Sequence, residues 1–324
     1  MLIGRAPALC TTVLPAAAIA AALALAGCAS GGDGDLANDP VTIYVSLPLA
    51  GPGGGDGRDA ADGARLALAD AGQRAGERKV RAVILDDTEG RGTAADWSAA
   101  AAGRNARRAT RDASTIAYIG ELDSGATRTS LPITNEARLL HVSPASPAMD
   151  LVVQPGTFDD VPEEAQPSGE RTFGRVVPGD EAQARAGARW AERIGVRRIG
   201  SLLPADAVEP SGRLAMSAAL DPSHLPPAGR RFVARFRDRY GRRPGRYAAY
   251  GYEAMAVVLD SIERAGELGS DREQVIEAFF ATADRDSVVG NYAVEDSGEP
   301  TLERISGYRI EDGRPRPIAR LRIP

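Results

Sequence analysis

The sequence predicts an α/β protein in which parallel sheet is covered by helices on both faces. Three observations carry this expectation. Short runs of branched and aromatic residues alternate with segments of helical period, and the connections between them are short. The 324 residues are 43% hydrophobic, too apolar for a disordered chain and long enough for about two domains. Two cysteines, two histidines and 5% aromatic residues argue against a closed zinc site, a disulfide framework or a stacking platform for bases. With 44 acidic against 39 basic residues the net charge is −5, so no broad attraction to phosphate exists and nucleic-acid binding is not expected.

Residues 1–27 are set apart from the fold. Met1 to Gly27 carries one charge, Arg5, then a run of Ala, Leu, Ile and Val that closes on Leu25-Ala26-Gly27-Cys28. A short apolar segment behind a basic start and before small residues reads as an export signal, although its length approaches that of a membrane-spanning helix. The Leu-Ala-Gly-Cys box resembles a bacterial lipoprotein signal, in which the cysteine, here Cys28, is lipidated and becomes the first residue. Residues 28–40, Gly- and Asp-rich, then form a flexible tether. Removing 27 of 324 residues leaves 297 and a charge of about −6. Cys10 leaves with the signal and Cys28 is consumed by the anchor, so thiol catalysis is excluded. The expected location is the outer face of the cell membrane.

The elements follow in order. Val41 to Leu47 is a buried strand, ending in the glycine-rich turn Gly51 to Gly57. A helix with Ala60, Ala64, Leu68 and Ala71 on one face follows, then a strand Val80 to Leu85 that ends at Asp86-Asp87. Thr93 to Thr110 reads as helix, Thr115 to Ile119 as strand, Ser124 to Ala137 as a helix holding or broken by Pro132, and Leu139 to Val142 as strand. Asp150 to Glu170, with three prolines and six acidic residues, reads as an exposed linker or surface loop. The alternation resumes with Thr172 to Val177, a helix Asp180 to Ile194 and a strand Arg198 to Leu203. In the proline-rich stretch Ala205 to Ala228, only Arg213 to Leu220 has strand character. Gly229 to Tyr240 and Tyr247 to Ala265 are helices, and Ser270-Asp271-Arg272-Glu273 reads as a capping box opening a helix with Val275, Ala278 and Phe279. Val288 to Val294, Ile305 to Ile310 and Pro317 to Ile323 read as closing strands.

Chemistry concentrates where strands end. Gly51 to Gly57 misses the dinucleotide spacing because Asp56 stands at the last glycine, so a plain tight turn is the better reading. In Gly120-Glu121-Leu122-Asp123-Ser124-Gly125-Ala126-Thr127, a serine at a helix start with Thr127 three residues on is either an anion seat or a simple cap. Ser143-Pro144-Ala145-Ser146-Pro147 lines the same crevice or makes a Pro-Ser turn. GxSxG, HExxH and Ser-x-x-Lys with its supporting boxes are absent, so enzymatic activity is not expected; an exported hydrolase would need a catalytic pair assembled in space. His141 is expected to pack within its strand and His224 to lie in a loop. No cofactor and no metal site is expected.

The segments VTIYVSLPLAGPGGGDGRDAADGARLAL, VRAVILDDTEG, IAYIGELDSGATRTSLPITNEARLLHVSPAS, RTFGRVVPGDEAQARAGARWA and RRFVARFRDRYGRRPGRYAAYGYEAMAVVLDSIERAG resemble, in order, the type 1 periplasmic binding proteins. The branch is that of the leucine/isoleucine/valine-binding proteins of ATP-driven importers. The resemblance implies two α/β lobes: residues 41–170 with 229–302 forming the first, and 171–228 with 303–324 a second, truncated one. It implies that a small polar, amino-acid-like solute is held by Ser124 with Thr127 and by Ala145, Ser146 and Pro147, then passed to an ABC permease. Two departures stand out. Pro147 replaces the threonine usual there, and after Leu203 the family's further strand–helix units are missing, leaving Asp206 and Glu209 as the acidic groups of that stretch. The rival implication is a non-transport ligand sensor, or a degenerate binding protein that docks a membrane partner.

Overall fold

A computed structural model describes residues 40–157, 159–197, 199–201 and 213–324. The signal, residues 28–39 of the tether with Cys28, Arg198, Leu203, Asp206 and Glu209 lie outside the described residues.

The first part of the chain runs β1 (Val41–Leu47), α1 (Gly54–Asp70), β2 (Arg74–Ala75), β3 (Arg78–Asp86), β4 (Thr88–Glu89), β5 (Asp96–Trp97), α2 (Ala99–Arg111), β6 (Thr115–Ile119), α3 (Ser124–Glu136), β7 (Leu140–Ser143) and β8 (Phe173–Arg175). It continues through α4 (Asp180–Ile194), β9 (Gly200–Ser201), β10 (Leu214–Ser217), α5 (Pro227–Tyr240), α6 (Ala248–Arg264), α7 (Arg272–Phe280), β11 (Arg285–Asp286), β12 (Asn291–Tyr292), β13 (Arg304–Glu311) and β14 (Arg314–Arg322).

The first sheet has the order β2-β3-β1-β6-β7-β8, parallel throughout except for β2. Every residue of β1 is buried, as a central parallel strand covered on both faces requires. On one face α2 and α3 enclose Tyr44, Ala106, Ala109, Tyr118 and Leu139. The other face carries the main core, where Ile43, Val45 and Ile119 meet α1, α6 and α7. Helices α1 and α6 touch through glycine: a Cβ on Gly63 would lie 1.9 Å from the Ala248 carbonyl, and one on Gly251 would lie 2.0 Å from that of Ala60. No other residue permits that approach.

The second sheet is β14-β13-β10-β9, with only β9 and β10 parallel. Helix α4 seals it through Ala186 and Trp190 over Met216, Ile305 and Leu321. The chain therefore forms two α/β lobes. Val176, Val177, Ala218 to Leu220 and Leu302 belong to the core of the first lobe, so the chain crosses between lobes next to each of these points. Strand β8 pairs with β7, which carries the first sheet past residue 170, the boundary expected from the sequence.

Several expectations are corrected. Helix α1 begins at Gly54, inside the glycine stretch expected to be turn. The helix expected from Thr93 starts at Ala99, because Gly90 and Gly92 adopt positive φ (97° and 59°) and bend residues 88–97 into the β4–β5 hairpin. Ser98 then caps α2, its hydroxyl accepting from Ala101 N at 3.3 Å. Residues 150–170 are a surface loop rather than a linker, exposed at residues 155–157, 159–160 and 163–164 but packed into the first lobe at its base. Leu151, Val152 and Ala165 are buried against Leu131 and Phe173, while Gln166 donates to Leu151 O (3.1 Å) and accepts from Thr172 N (2.9 Å). That side chain supplies the backbone partners a buried loop needs. Helix α7 is capped by Asp271 rather than Ser270, through Glu273 N and Gln274 N at 2.9 and 3.1 Å. Of Val288 to Val294, only Asn291–Tyr292 is strand. Pro132 sits inside α3, and the carbonyl it leaves unpaired belongs to the exposed Arg128.

Candidate ligand-binding site

The strand order reverses at β1, whose neighbours are β3 and β6. At such a switch point the loops leave in opposite directions and a crevice opens beyond the carboxyl ends of the strands. Three chain segments meet there: Asp86-Asp87 at the end of β3, Gly120 to Asp123 after β6, and Pro144 to Ala148 after β7.

Helix α3 is capped by Asp123, whose carboxylate accepts from Gly125 N at 2.6 Å. Ser124 is thus the first residue of the helix and not its cap, and an acidic group already occupies the terminus where an external anion would sit. The half-buried Ser124 accepts from Ala148 N at 3.3 Å, which ties the helix start to the loop after β7.

Thr127 is fully buried. Its hydroxyl lies 2.6 Å from that of Ser146, 3.2 Å from Asp123 O and 3.3 Å from Glu121 N. Ser146 is fully buried too and also reaches Glu121 O at 3.0 Å. Ser143 shapes the turn, donating to Glu121 O (2.7 Å) and accepting from Ala145 N (3.2 Å) and Ser146 N (2.9 Å). Ala145 is buried and Pro147 half-buried, with its carbonyl accepting from Asp180 N at 2.9 Å where α4 begins. The five residues singled out in the sequence are therefore gathered into one cluster. In this conformation the hydroxyls of Thr127 and Ser146 bond to each other and to the loops, not to solvent.

Three further residues were not assigned a role in the sequence. Arg175, fully buried, donates to Ser146 O (3.0 Å) and Ala148 O (2.8 Å) and pairs with Glu299. Burial pushes its guanidinium down to about 9. Its signal was a lone cation inside an apolar strand. Glu121, also fully buried, accepts from Tyr118 OH at 2.6 Å and Ser130 Oγ at 2.5 Å. Burial raises its carboxyl to about 7, against the hydrogen bonds from Ser130, Tyr118 and Ser46. Asp87 is fully buried with neither carboxylate oxygen hydrogen-bonded, and burial, with the field of Glu121 next, raises it to about 8. His141 lies in β7 as expected, its Nε2 donating to Gly120 O at 2.7 Å, and burial holds it down to about 4. His224 sits in a short turn 2.9 Å from Ser306 Oγ.

A groove of about 640 Å³ runs beside this cluster, between the first lobe and the start of α4. Arg128, Ala148, Asp150 and Asp180 line it, with Arg128 held by Asp150 at 2.6 and 2.8 Å.

No protein-family model and no curated protein matches the chain. Solved structures do. A leucine-binding protein of Thermotoga maritima superposes with a TM-score of 0.70 at 21% identity, over 87% of this chain and 99% of that one. An ABC transporter substrate-binding protein of Desulfitobacterium hafniense, in complex with leucine, gives 0.66 at 17%, over 86% and 100%. The chain has the type 1 periplasmic-binding fold. A solute-binding protein of an R. palustris ABC transporter, in complex with benzoate, gives 0.62 at 15% over 88% and 97%, so this fold is shared by proteins with chemically different ligands. In the present type 1 fold the cluster at Ser124 and Ser146 faces the side where the lobes meet, since Pro147 bonds directly to the start of α4.

Proposed function

We propose that this chain is an extracytoplasmic solute-binding lipoprotein, anchored through Cys28, that captures a small polar solute and presents it to an ABC permease. The observation that carries this reading is the pair of α/β lobes joined by crossing segments, with a polar cluster and a groove where they meet. Solved chains with the same fold, a leucine-binding protein and complexes with leucine and benzoate, support it. An amino acid or a related compound is the solute class we favour. Ser124 offers a half-exposed hydroxyl, Ala145 to Pro147 offer backbone groups, and Thr127 with Ser146 hold the two loops in register. The function is capture by differential contact with the closed state, and no bond is made or broken.

A second reading has one observation in its favour. Among the described residues the second sheet has four strands, two of them a terminal hairpin, a small partner for closure. A sensor or degenerate binder docking a membrane partner would need no tight closure.

The test is a thermal-shift screen of the full-length protein against pooled amino acids and amines. A ligand at a hundred times its dissociation constant stabilises by about 2.7 kcal/mol, so a binding pool raises Tm by several degrees. A cooperatively melting protein that no pool shifts would contradict solute capture. Membrane release of a Cys28→Ser variant tests the anchor.

A further inference from the structure

We propose that Asp87 is the seat for an ammonium group of the solute, and that the crevice around it selects net cationic amines over zwitterions and anions. This rests on the solute-binding reading above and names the class of solute.

The carboxylate of Asp87 is fully buried and neither oxygen has a hydrogen-bond partner among the described residues. An ionised carboxylate in that state is unfavourable unless a cation reaches it, and a neutral one still leaves a donor and acceptors unused. After burial, the largest influences on Asp87 come from acidic groups: Glu121 after β6, Asp86 on β3, Asp123 at the start of α3, and Asp96 on β5. Of the cations on the nearby helices, Arg104 of α2 is paired with Glu89 at 2.7 Å and Arg128 of α3 with Asp150. Two oxygens of the Glu121 carboxylate are already bonded to Tyr118 and Ser130, which leaves Asp87 as the acceptor without a donor. Among the described residues no three acidic, histidine or cysteine side chains converge to hold a metal ion, so an organic ammonium fits better than a metal cation.

The position suits a ligand. Asp87 stands at the carboxyl end of the sheet beside the switch point between β1 and β6. The β4–β5 hairpin leaves the chain at Thr88 and returns to it where Ser98 N donates to Asp87 O at 2.9 Å. The ladder of that hairpin is two residue pairs long, Glu89 is tied to Ser98 and Arg104, and residues 91–94 at its tip are exposed. The proposal requires this hairpin, whose two ends flank Asp87, to move aside as the solute enters. Binding of an ammonium converts Asp87 from acid to carboxylate, so a proton leaves as the solute enters.

The test is calorimetric titration of the full-length protein with putrescine, L-lysine, L-leucine and benzoate, in two buffers of different ionisation enthalpy. The expected result is that putrescine or L-lysine binds most tightly, with proton release. Asp87→Asn should weaken it about thirtyfold or more, the loss typical of removing one partner of a buried charge pair. Glu121→Gln, which keeps the hydrogen-bond partners of Glu121, should weaken it less. Saturable binding of L-leucine in preference to the cations overturns the selection for net cationic amines; preference for benzoate, or binding unchanged in a folded Asp87→Asn protein, overturns the ammonium seat, and either result leaves solute capture standing. Silence towards all four and towards the wider pools overturns both.

Discussion

The hydroxyls of Thr127 and Ser146 meet at 2.6 Å, and through them the start of α3 is fastened to the loop after β7. Each carries one proton, yet Asp123 O, Glu121 O and the other hydroxyl all stand within reach as acceptors. The pair is therefore saturated and dry. Thr127→Val keeps the shape and removes the hydroxyl, leaving Glu121 N and Ser146 short of a partner. We expect a loss of about 1–3 kcal/mol in urea denaturation of the full-length protein. Ser146→Ala in the same background should then cost less than it does alone, because the partners are coupled.

Arg175 holds the same loop from the other side through two carbonyls and the Glu299 carboxylate. Arg175→Met strands that carboxylate and should destabilise by about 3–5 kcal/mol, read from the denaturation midpoint. Arg175→Lys should not restore stability, since a point charge cannot serve three acceptors in the geometry of a planar fork.

The two buried acids set a pH dependence. Both carboxyls lie above their ordinary values, Glu121 at about 7 and Asp87 at about 8. The native state keeps protons that the unfolded chain has lost, so these groups favour folding at low pH and that contribution is lost as pH rises through the raised values. The histidines, both lowered, titrate in the unfolded chain near 6.5 and so add nothing above that pH. Between pH 6.5 and 8 stability should fall by up to about 1.4 kcal/mol per pH unit for each retained proton. Asp87→Asn should flatten the upper part of that slope and raise Tm at pH 8. A wild-type Tm that is constant from pH 6.5 to 8 would contradict the assignment.

Gly63 and Gly251 set the separation of α1 and α6. Gly63→Ala places a methyl into the Ala248 carbonyl, and we expect destabilisation of about 1–3 kcal/mol despite the better helix propensity of alanine. Gly55→Ala, in the same helix with open space around its Cβ, is the control and should be neutral or stabilising.

Much of the fold was legible in the sequence for physical reasons. Val41 to Leu47, Thr115 to Ile119 and Asp180 to Ile194 were found with matching bounds because buried parallel strands and an amphipathic helix leave strong periods. The β4–β5 hairpin was missed because alanine at residues 94–95 and 99–102 outweighs the local glycine signal at Gly90 and Gly92. Residues 150–170 misled because their buried groups are satisfied by Gln166, a long-range partner that composition does not reveal. For the site, the serine and threonine positions were legible as strand ends. Asp87 and Glu121 were not, since only burial distinguishes them from the many charged residues on the surface, and Arg175 offered no more than its place in an apolar strand.

The central claim is that the cluster around Ser124 and the loop after β7 hold a solute between two closing lobes. Calorimetry on the full-length protein, with the solute that gives the largest thermal shift, tests it most directly. The account predicts one solute per chain, a negative heat-capacity change, and affinity reduced about tenfold by Ser124→Ala, with the protein still folded and destabilised by about 1 kcal/mol through the lost Ala148 N bond. Full affinity in that variant, or no saturable heat with any solute, would contradict it.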